Sequence, residues 1–291
     1  MTIAEFFAAN PLALAAIACI FGLVVGSFLN VVIYRLPVMM EFEWTAQCRE
    51  LLEISPEDNT ADSKPFNLAV PGSYCPKCKH EITATENIPL VSWLLQGGKC
   101  RHCQAGISAR YPIIEGVTGI LSALVAHQFG YGWPTLALLV FTWSLIVLTM
   151  IDFDHQLLPD DITLPLLWLG LLVNSFGWFA TLQDAVWGAI AGYLMLWGLY
   201  WLFKLLTGKE GMGYGDFKLL ATLGAWLGWQ ALPTIMLLSS LVGAVVGTSL
   251  IAILGRDKNA PIPFGPYLAC AGFLSLLWGN EIAGAYYALI L

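Results

Sequence analysis

Gly211-Met212-Gly213-Tyr214-Gly215-Asp216-Phe217-Lys218 runs straight into the apolar stretch Leu219, Leu220, Ala221, Leu223, Ala225, Trp226 and Leu227. An ionisable group beside a run apolar enough to enter a bilayer is costly, which marks Asp216 as a functional candidate. The alternate glycines carry no side chains, so another backbone can lie close against this loop. One carboxylate alone does little hydrolytic chemistry, and the loop therefore raises the question of a partner.

The composition around the loop is that of a membrane protein. Of the 291 residues, 58% are hydrophobic and only 11% charged, with mean hydropathy +0.71. Soluble domains carry roughly 25% charged residues. Several runs reach the about 20 apolar residues that cross a hydrocarbon core. The twelve tryptophans and ten tyrosines suit interfacial belts as well as packing. The net charge of −7 carries little meaning, because the acids concentrate in one polar insert. The composition excludes a soluble domain on a single anchor.

The pattern predicts an all-α membrane protein of about eight transmembrane helices. They fall at 12–33, 112–128, 135–151, 162–178, 184–203, 217–229, 233–254 and 264–290. Gly130-Tyr131-Gly132-Trp133-Pro134, Leu158-Pro159-Asp160-Asp161, Leu232-Pro233 and Asn259-Ala260-Pro261 supply turn signals between them. The sixth is short for a span, which calls for tilt, burial within protein or a locally thinned bilayer. The segment ahead of the first run holds Glu5 and no basic residue, while Arg35 follows it. That fits a retained helix with its amino terminus outside, rather than a cleaved signal peptide. Within the run, Gly26 and Ser27 suit close helix packing, and Asn30 suits a hydrogen bond across helices.

Three domains are expected: a first transmembrane helix at 1–35, a cytoplasmic insert at 36–110, and a seven-helix membrane domain at 111–291. The insert begins acidic, and Ser55-Pro56-Glu57-Asp58-Asn59-Thr60 reads as a mobile linker. Its second half carries Cys75-Pro76-Lys77-Cys78 and Cys100-Arg101-His102-Cys103. Two such knuckles resemble a tetrathiolate Zn²⁺ site, closed to substrate and structural. The competing reading is a pair of disulfides, which needs an oxidising compartment. His80 and His102 are substitute ligands that four cysteines make unnecessary. Cys19 and Cys270 read as packing residues, and Cys48 shows no partner.

Threading the chain through eight spans puts all thirteen Lys and Arg residues on one side. The positive-inside rule makes that side cytoplasmic and both termini external. A cytoplasmic insert favours Zn²⁺ over disulfides.

The loop after the third helix reads Ile151-Asp152-Phe153-Asp154-His155-Gln156-Leu157-Leu158-Pro159-Asp160-Asp161 and faces the same side as Asp216. Asp160 and Asp161 precede a helix and read as N-caps, and Asp154 lies out in the loop. Asp152 ends the apolar run at the membrane edge, as Asp216 does, and is the better partner. Two carboxylates brought together share a proton, as in aspartic proteases. The bland alternative is that both are solvated or capping groups at helix ends.

With these residues in view, the chain resembles the type IV prepilin leader peptidase / N-methyltransferase family of Gly-x-Gly-Asp intramembrane aspartyl proteases. The resemblance runs through Gly26-Ser27-Phe28-Leu29-Asn30-Val31-Val32-Ile33-Tyr34-Arg35, both cysteine pairs and Arg110-Tyr111-Pro112-Ile113-Ile114-Glu115. It continues through the Asp152 loop to Gly213-Tyr214-Gly215-Asp216. The family's catalytic aspartates fall on Asp152 and Asp216, with Gly213 and Gly215 as the supporting loop. The resemblance implies a bacterial inner-membrane, multi-pass enzyme that cuts the basic leader of prepilins or pseudopilins on the cytoplasmic face. It also implies N-methylation of the new terminus with S-adenosylmethionine. Beyond those substrates and membrane lipid no partner is implied, nucleic acid included. Gly211, Gly213 and Gly215 lack the spacing of a dinucleotide-type loop, and no residue is assigned to the methyl donor.

Three other readings compete with it. An ion-coupled transporter would use both aspartates, but it is expected to show an internal repeat, and none is found. A zinc metalloprotease lacks its His-Glu-x-x-His. A non-enzymatic secretion-system assembly component would tolerate loss of both aspartates.

Overall fold

The computed structural model describes residues 2–53, 66–254 and 262–290. Among them it forms ten α-helices and no strand beyond isolated bridges. They are α1 Ile3–Ala9, α2 Pro11–Leu51, α3 Val91–Leu95, α4 Arg110–Phe129, α5 Trp133–His155, α6 Asp160–Ser175, α7 Leu182–Thr207, α8 Tyr214–Leu227, α9 Leu232–Leu254 and α10 Gly265–Ile290. Eight of these, α2 and α4 to α10, stand where the apolar runs predict spans. Among the described residues α2, α4, α5, α7 and Trp229–Ser249 are long and apolar enough to cross a membrane. The apolar part of α10, Gly265–Gly279, is shorter. The chain is an all-α, multi-pass membrane protein. The expected linker at 55–60 and the turn at 259–261 lie outside the described residues, as do Lys64, Arg256 and Lys258.

The chain divides into two compact units, Met1–Tyr131 and Gly132–Leu291. In the first, α2 packs along α4 through small residues. A Cβ at Gly26 would stand 2.8 Å from the Glu115 Cα, and one at Gly119 would stand 2.9 Å from Leu23. Backbones this close favour dispersion contacts and cross-helix hydrogen bonds in a bilayer. Asn30 makes the expected one: its Nδ2 donates to the Tyr111 carbonyl at 3.3 Å and to that of Gly26 at 3.2 Å.

The first helix is longer than its apolar run. It passes through Arg35 and Pro37 to Leu51, so residues 36–51, placed in the polar insert by composition, are helical. Glu41, Glu43, Gln47, Arg49 and Glu50 are good helix formers, and polarity ends a span without ending a helix. Arg35 does more than mark a side. Its buried guanidinium donates to the carbonyls of Asn67 at 2.9 Å, Leu68 at 3.4 Å and Gly72 at 3.5 Å.

The second unit is built around α8. Phe217, Leu219, Leu220, Leu223, Ala225 and Trp226 are all fully buried. A helix apolar on every side belongs inside a protein, which accounts for a segment of 14 residues. Of the alternatives for the short sixth segment, burial is the one adopted. Its neighbours α6, α7 and α10 approach through glycines. Gly188 of α7 and Gly224 of α8 meet backbone to backbone, and Gly170 of α6 lies under the Trp226 indole. The carboxyl end of α8 is satisfied by Asn174, whose Nδ2 donates to the Ala225 and Trp226 carbonyls at 2.8 and 2.9 Å. These are carbonyls that a helix end otherwise leaves unpaired. Cys270, read as a packing residue, lies on the exposed face of α10, whose buried face carries Leu268, Ala269, Ala271 and Gly272.

Candidate functional site

Asp152 and Asp216 both belong to the second unit, and both are buried, at 5% and 7% exposure. Asp152 is not in a loop. α5 continues to His155 and ends on Gln156 in the left-handed conformation, so Asp152 sits in its last turns. Asp216 lies in the first turn of α8, whose N-cap is Gly213. Leu158 packs against both Gly215, the residue before Asp216, and Gly265, whose N–H bonds Asp152, so the fold gathers the two acids in one neighbourhood.

The two carboxylates have different surroundings. Oδ2 of Asp152 accepts the backbone N–H of Gly265, at the start of α10, at 3.0 Å. Oδ1 of Asp216 is buried with no hydrogen-bond partner among the described residues. A buried carboxylate oxygen left unpaired costs free energy and points to a water or a reacting group as its missing partner.

Leu158 joins the elements around the pair. A Cβ at Gly215 would stand 2.8 Å from the Leu158 Cβ, and one at Gly265 would stand 3.2 Å from its Cδ2. The space expected beside Gly215 is thus taken by Leu158, whereas nothing stands within 4 Å of a Cβ at Gly213. The other acids differ from the pair in burial, since Asp154, Asp160 and Asp161 are all exposed. Asp160 is not an N-cap, since Pro159 holds that position. Its carboxylate pairs with Lys218 Nζ at 2.7 Å, because α6 and α8 start side by side. Asp161 follows in the first turn of α6, where a negative charge complements the helix dipole. Asp154 is exposed. Sequence reasoning misses Gly265 as the partner of Asp152, and it gives Leu158 only a place in a turn signal. A Gly-Pro pair opening an apolar run was the available signal for Gly265, and Leu158 offered none for its contacts.

In the first unit, the sulfurs of Cys75, Cys78, Cys100 and Cys103 all lie within 4.8 Å of one another. Cys75 and Cys103 are 3.8 Å apart, and Cys78 and Cys100 are 4.0 Å apart. Zinc–sulfur bonds of about 2.3 Å in a tetrahedron put sulfurs about 3.8 Å apart, so the donor set fits the ion. The two knuckles are built alike. Cys75 N–H donates to His80 O, and Cys100 N–H to Ala105 O. Lys79 and Gln104, one residue past each knuckle, are both left-handed. Backbone N–H groups of Cys78 and Lys77 hold the Cys75 thiol at about 6, below its ordinary 9.0. At Cys78 the His80 N–H pulls down, yet burial and the sulfurs of Cys103, Cys75 and Cys100 push the thiol up to about 11. Four thiolates this close need a cation between them. His80 and His102 stack edge to face at 4.9 Å, beside the cluster.

Residues 139–248, which contain both aspartates, match the type IV leader peptidase family. Residues 20–129, which contain all four cysteines, match the bacterial peptidase A24 N-terminal domain. The chain belongs to the type IV leader peptidase family. It is 59% identical over 286 residues to the prepilin leader peptidase/N-methyltransferase of Stutzerimonas stutzeri, covering 98% of both chains. It is 61% identical to the protein of that name from Aeromonas hydrophila, over 92% of this chain and 91% of the other. The Neisseria gonorrhoeae protein of the same name is 54% identical, over 89% and 88%. No solved structure matches the chain. Membership of the leader peptidase family extends over both units, because the relatives align along nearly the whole sequence.

Proposed function

We propose that this protein is a membrane aspartyl endopeptidase that removes the basic leader of type IV prepilins or pseudopilins and N-methylates the new amino terminus. The observation that carries the peptidase reading is the pair of buried carboxylates at the α5 and α8 ends, with one oxygen left unpaired.

The pair holds one proton. Its ionised member takes a proton from water as the water oxygen bonds to the scissile carbonyl carbon. The neutral member donates to the carbonyl oxygen, giving a tetrahedral diol. Collapse breaks the C–N bond: the departing amine takes the proton of the neutral member while a diol hydroxyl gives its proton to the ionised one, so the pair again holds one proton and the leader leaves with a new carboxyl terminus. The titration belongs to the pair and not to either residue. Gly265 fixes the direction of the Asp152 carboxylate, and the open side of Gly213 leaves room for an extended substrate backbone.

Zn²⁺ is the ion we assign to Cys75, Cys78, Cys100 and Cys103. With four thiolates it supplies cohesion to the insert and has no open position for chemistry. S-adenosylmethionine is the methyl donor we assign from the family. The glycine loop does not fit it, since Leu158 and the Asp216 carboxylate crowd the first turn of α8. We derive no step through it. The basic residues support an inner-membrane protein with the insert and both aspartates on the cytoplasmic side.

Purified protein incubated with a prepilin-like peptide and S-adenosylmethionine tests the reading by mass spectrometry. Leader loss plus one added methyl group is the expected product, and an uncut peptide contradicts the reading.

A further inference from the structure

The insert is pinned to a membrane span just ahead of α3. Leu90 donates its N–H to Oε2 of Glu115 in α4 at 2.9 Å, and Glu115 is buried. The Leu90 side chain also reaches to 3.8 Å from where a Cβ on Gly116 would stand. Leu90 holds a left-handed backbone, φ 60°, which leucine rarely adopts. A span takes about 20 residues, and α4 has 20, so Arg110 stands at the membrane edge. Glu115 and Gly116 then lie roughly 8–9 Å in from that edge, at about 1.5 Å per residue. Interfacial helices bury their apolar face about 5–10 Å into the headgroup boundary. Leu90 carries the start of α3 to that depth.

The turn of α3 has one side tied to the insert and one side free. Ser92 is buried, and its Oγ donates to the Thr85 carbonyl and accepts the Ile88 N–H, both at 2.9 Å. Trp93 Nε1 donates to the Ile107 carbonyl at 3.2 Å. Leu94 and Leu95 point away, at 68% and 83% exposure, and Ile88 and Val91 are exposed as well. Single exposed apolar residues need no explanation, but a cluster of four on one turn marks a contact surface. On α4, Ile113 and Val117 flank the level of Glu115 and are exposed too.

Charge points to the occupant. Ile88, Val91 and Leu95 line one open cleft with Lys99 and Arg101. Neither of these cations makes an ion pair among the described residues. The acid of the cleft, Glu86, is turned to the Thr83 N–H at 3.0 Å and to His80 at 3.5 Å. Apolar residues beside unpaired cations, at the edge of a span, suit an anionic bilayer surface.

We propose that α3 seats the insert on the bilayer, with Val91, Leu94 and Leu95 in the headgroup boundary and Lys99 and Arg101 against the phosphates of anionic phospholipids. The inference rests on α4 as a span and does not involve Asp152 or Asp216.

The test uses the full-length protein in vesicles of equal phosphatidylglycerol and phosphatidylcholine. A photoreactive phenylalanine analogue is installed in place of Leu94 or of Leu95, both exposed enough to accept it, and the adducts are weighed after illumination. Each position should yield phospholipid adducts. The same analogue in place of Gln47, exposed and about 18 Å along α2 beyond Arg35, should yield none above background. Adducts at 94 and 95 should favour phosphatidylglycerol by at least about fivefold, the scale of a basic residue at an anionic surface. Lys99→Gln with Arg101→Gln should bring that ratio to about one while the adducts persist. Adducts to another copy of the chain, or none above the Gln47 level, overturn the seating on lipid. An unchanged headgroup ratio in the Lys99→Gln, Arg101→Gln protein overturns the role given to the two cations.

Discussion

The Gly265 N–H and the Asp152 carboxylate are 113 residues apart in sequence and 3.0 Å apart in the fold. That bond ties the start of α10 to the end of α5, and it requires glycine for its geometry. A Cβ at position 265 would stand 2.6 Å from Oδ2 of Asp152. Gly265→Ala must therefore push the carboxylate aside. A misplacement of about 1 Å at a reacting group costs on the order of a hundredfold in rate. Leader cleavage by Gly265→Ala should fall by about that factor while the protein still purifies as a folded species. Near-normal cleavage would show that the Asp152 position is not critical.

The α7–α8 contact predicts a defect in stability. Gly188 and Gly224 face each other with no room for a methyl group on either. Gly188→Ala or Gly224→Ala should destabilise the protein by about 1–3 kcal/mol, the usual cost of overpacking. Thermal unfolding in detergent measures it, and an unchanged midpoint for both variants would contradict the packing described.

Metal analysis of purified protein should find one Zn²⁺ per chain. Serine at Cys75, Cys78, Cys100 or Cys103 should lower the metal content and loosen the insert, since binding and folding are coupled in so small a module. Serine at Cys19, Cys48 or Cys270 should do neither. Disulfides among the four cysteines in place of metal would overturn the assignment.

Topology is open to a direct test. If all eight helices span with the basic residues inside, both termini lie outside the cytoplasm. A reporter that works only outside the cytoplasm should be active when fused after Leu291. Activity from a cytoplasm-dependent reporter alone would mean that one span has been miscounted.

The eight helices α2 and α4 to α10 were legible because each carries an apolar run long enough for its pattern to dominate local propensity, whereas the short α1 and α3 carry none. The cysteine cluster was legible because its ligands come in close pairs within one segment. Most of what sequence concealed depends on contacts between distant segments, with one local exception. Residues 36–51 continue the first helix because helix propensity outlasts the apolar pattern. Asp160 has the spacing of a cap, yet its charge goes to Lys218, 58 residues away, because two helices start side by side. Leu158 looks like one leucine among many, and its place against Gly215 and Gly265 follows only from three segments meeting.

The central claim is that Asp152 and Asp216 act as one proteolytic unit, and leader removal by asparagine variants in membranes tests it most directly. Asparagine preserves an oxygen for the Gly265 N–H but cannot take a proton from water. Asp152→Asn and Asp216→Asn, each expressed at wild-type level, should both abolish cleavage. The double variant should be no worse than either, because residues that act as a unit fail together. Asp154→Asn and Asp161→Asn should keep substantial activity. Normal cleavage by either Asp152→Asn or Asp216→Asn would contradict the account.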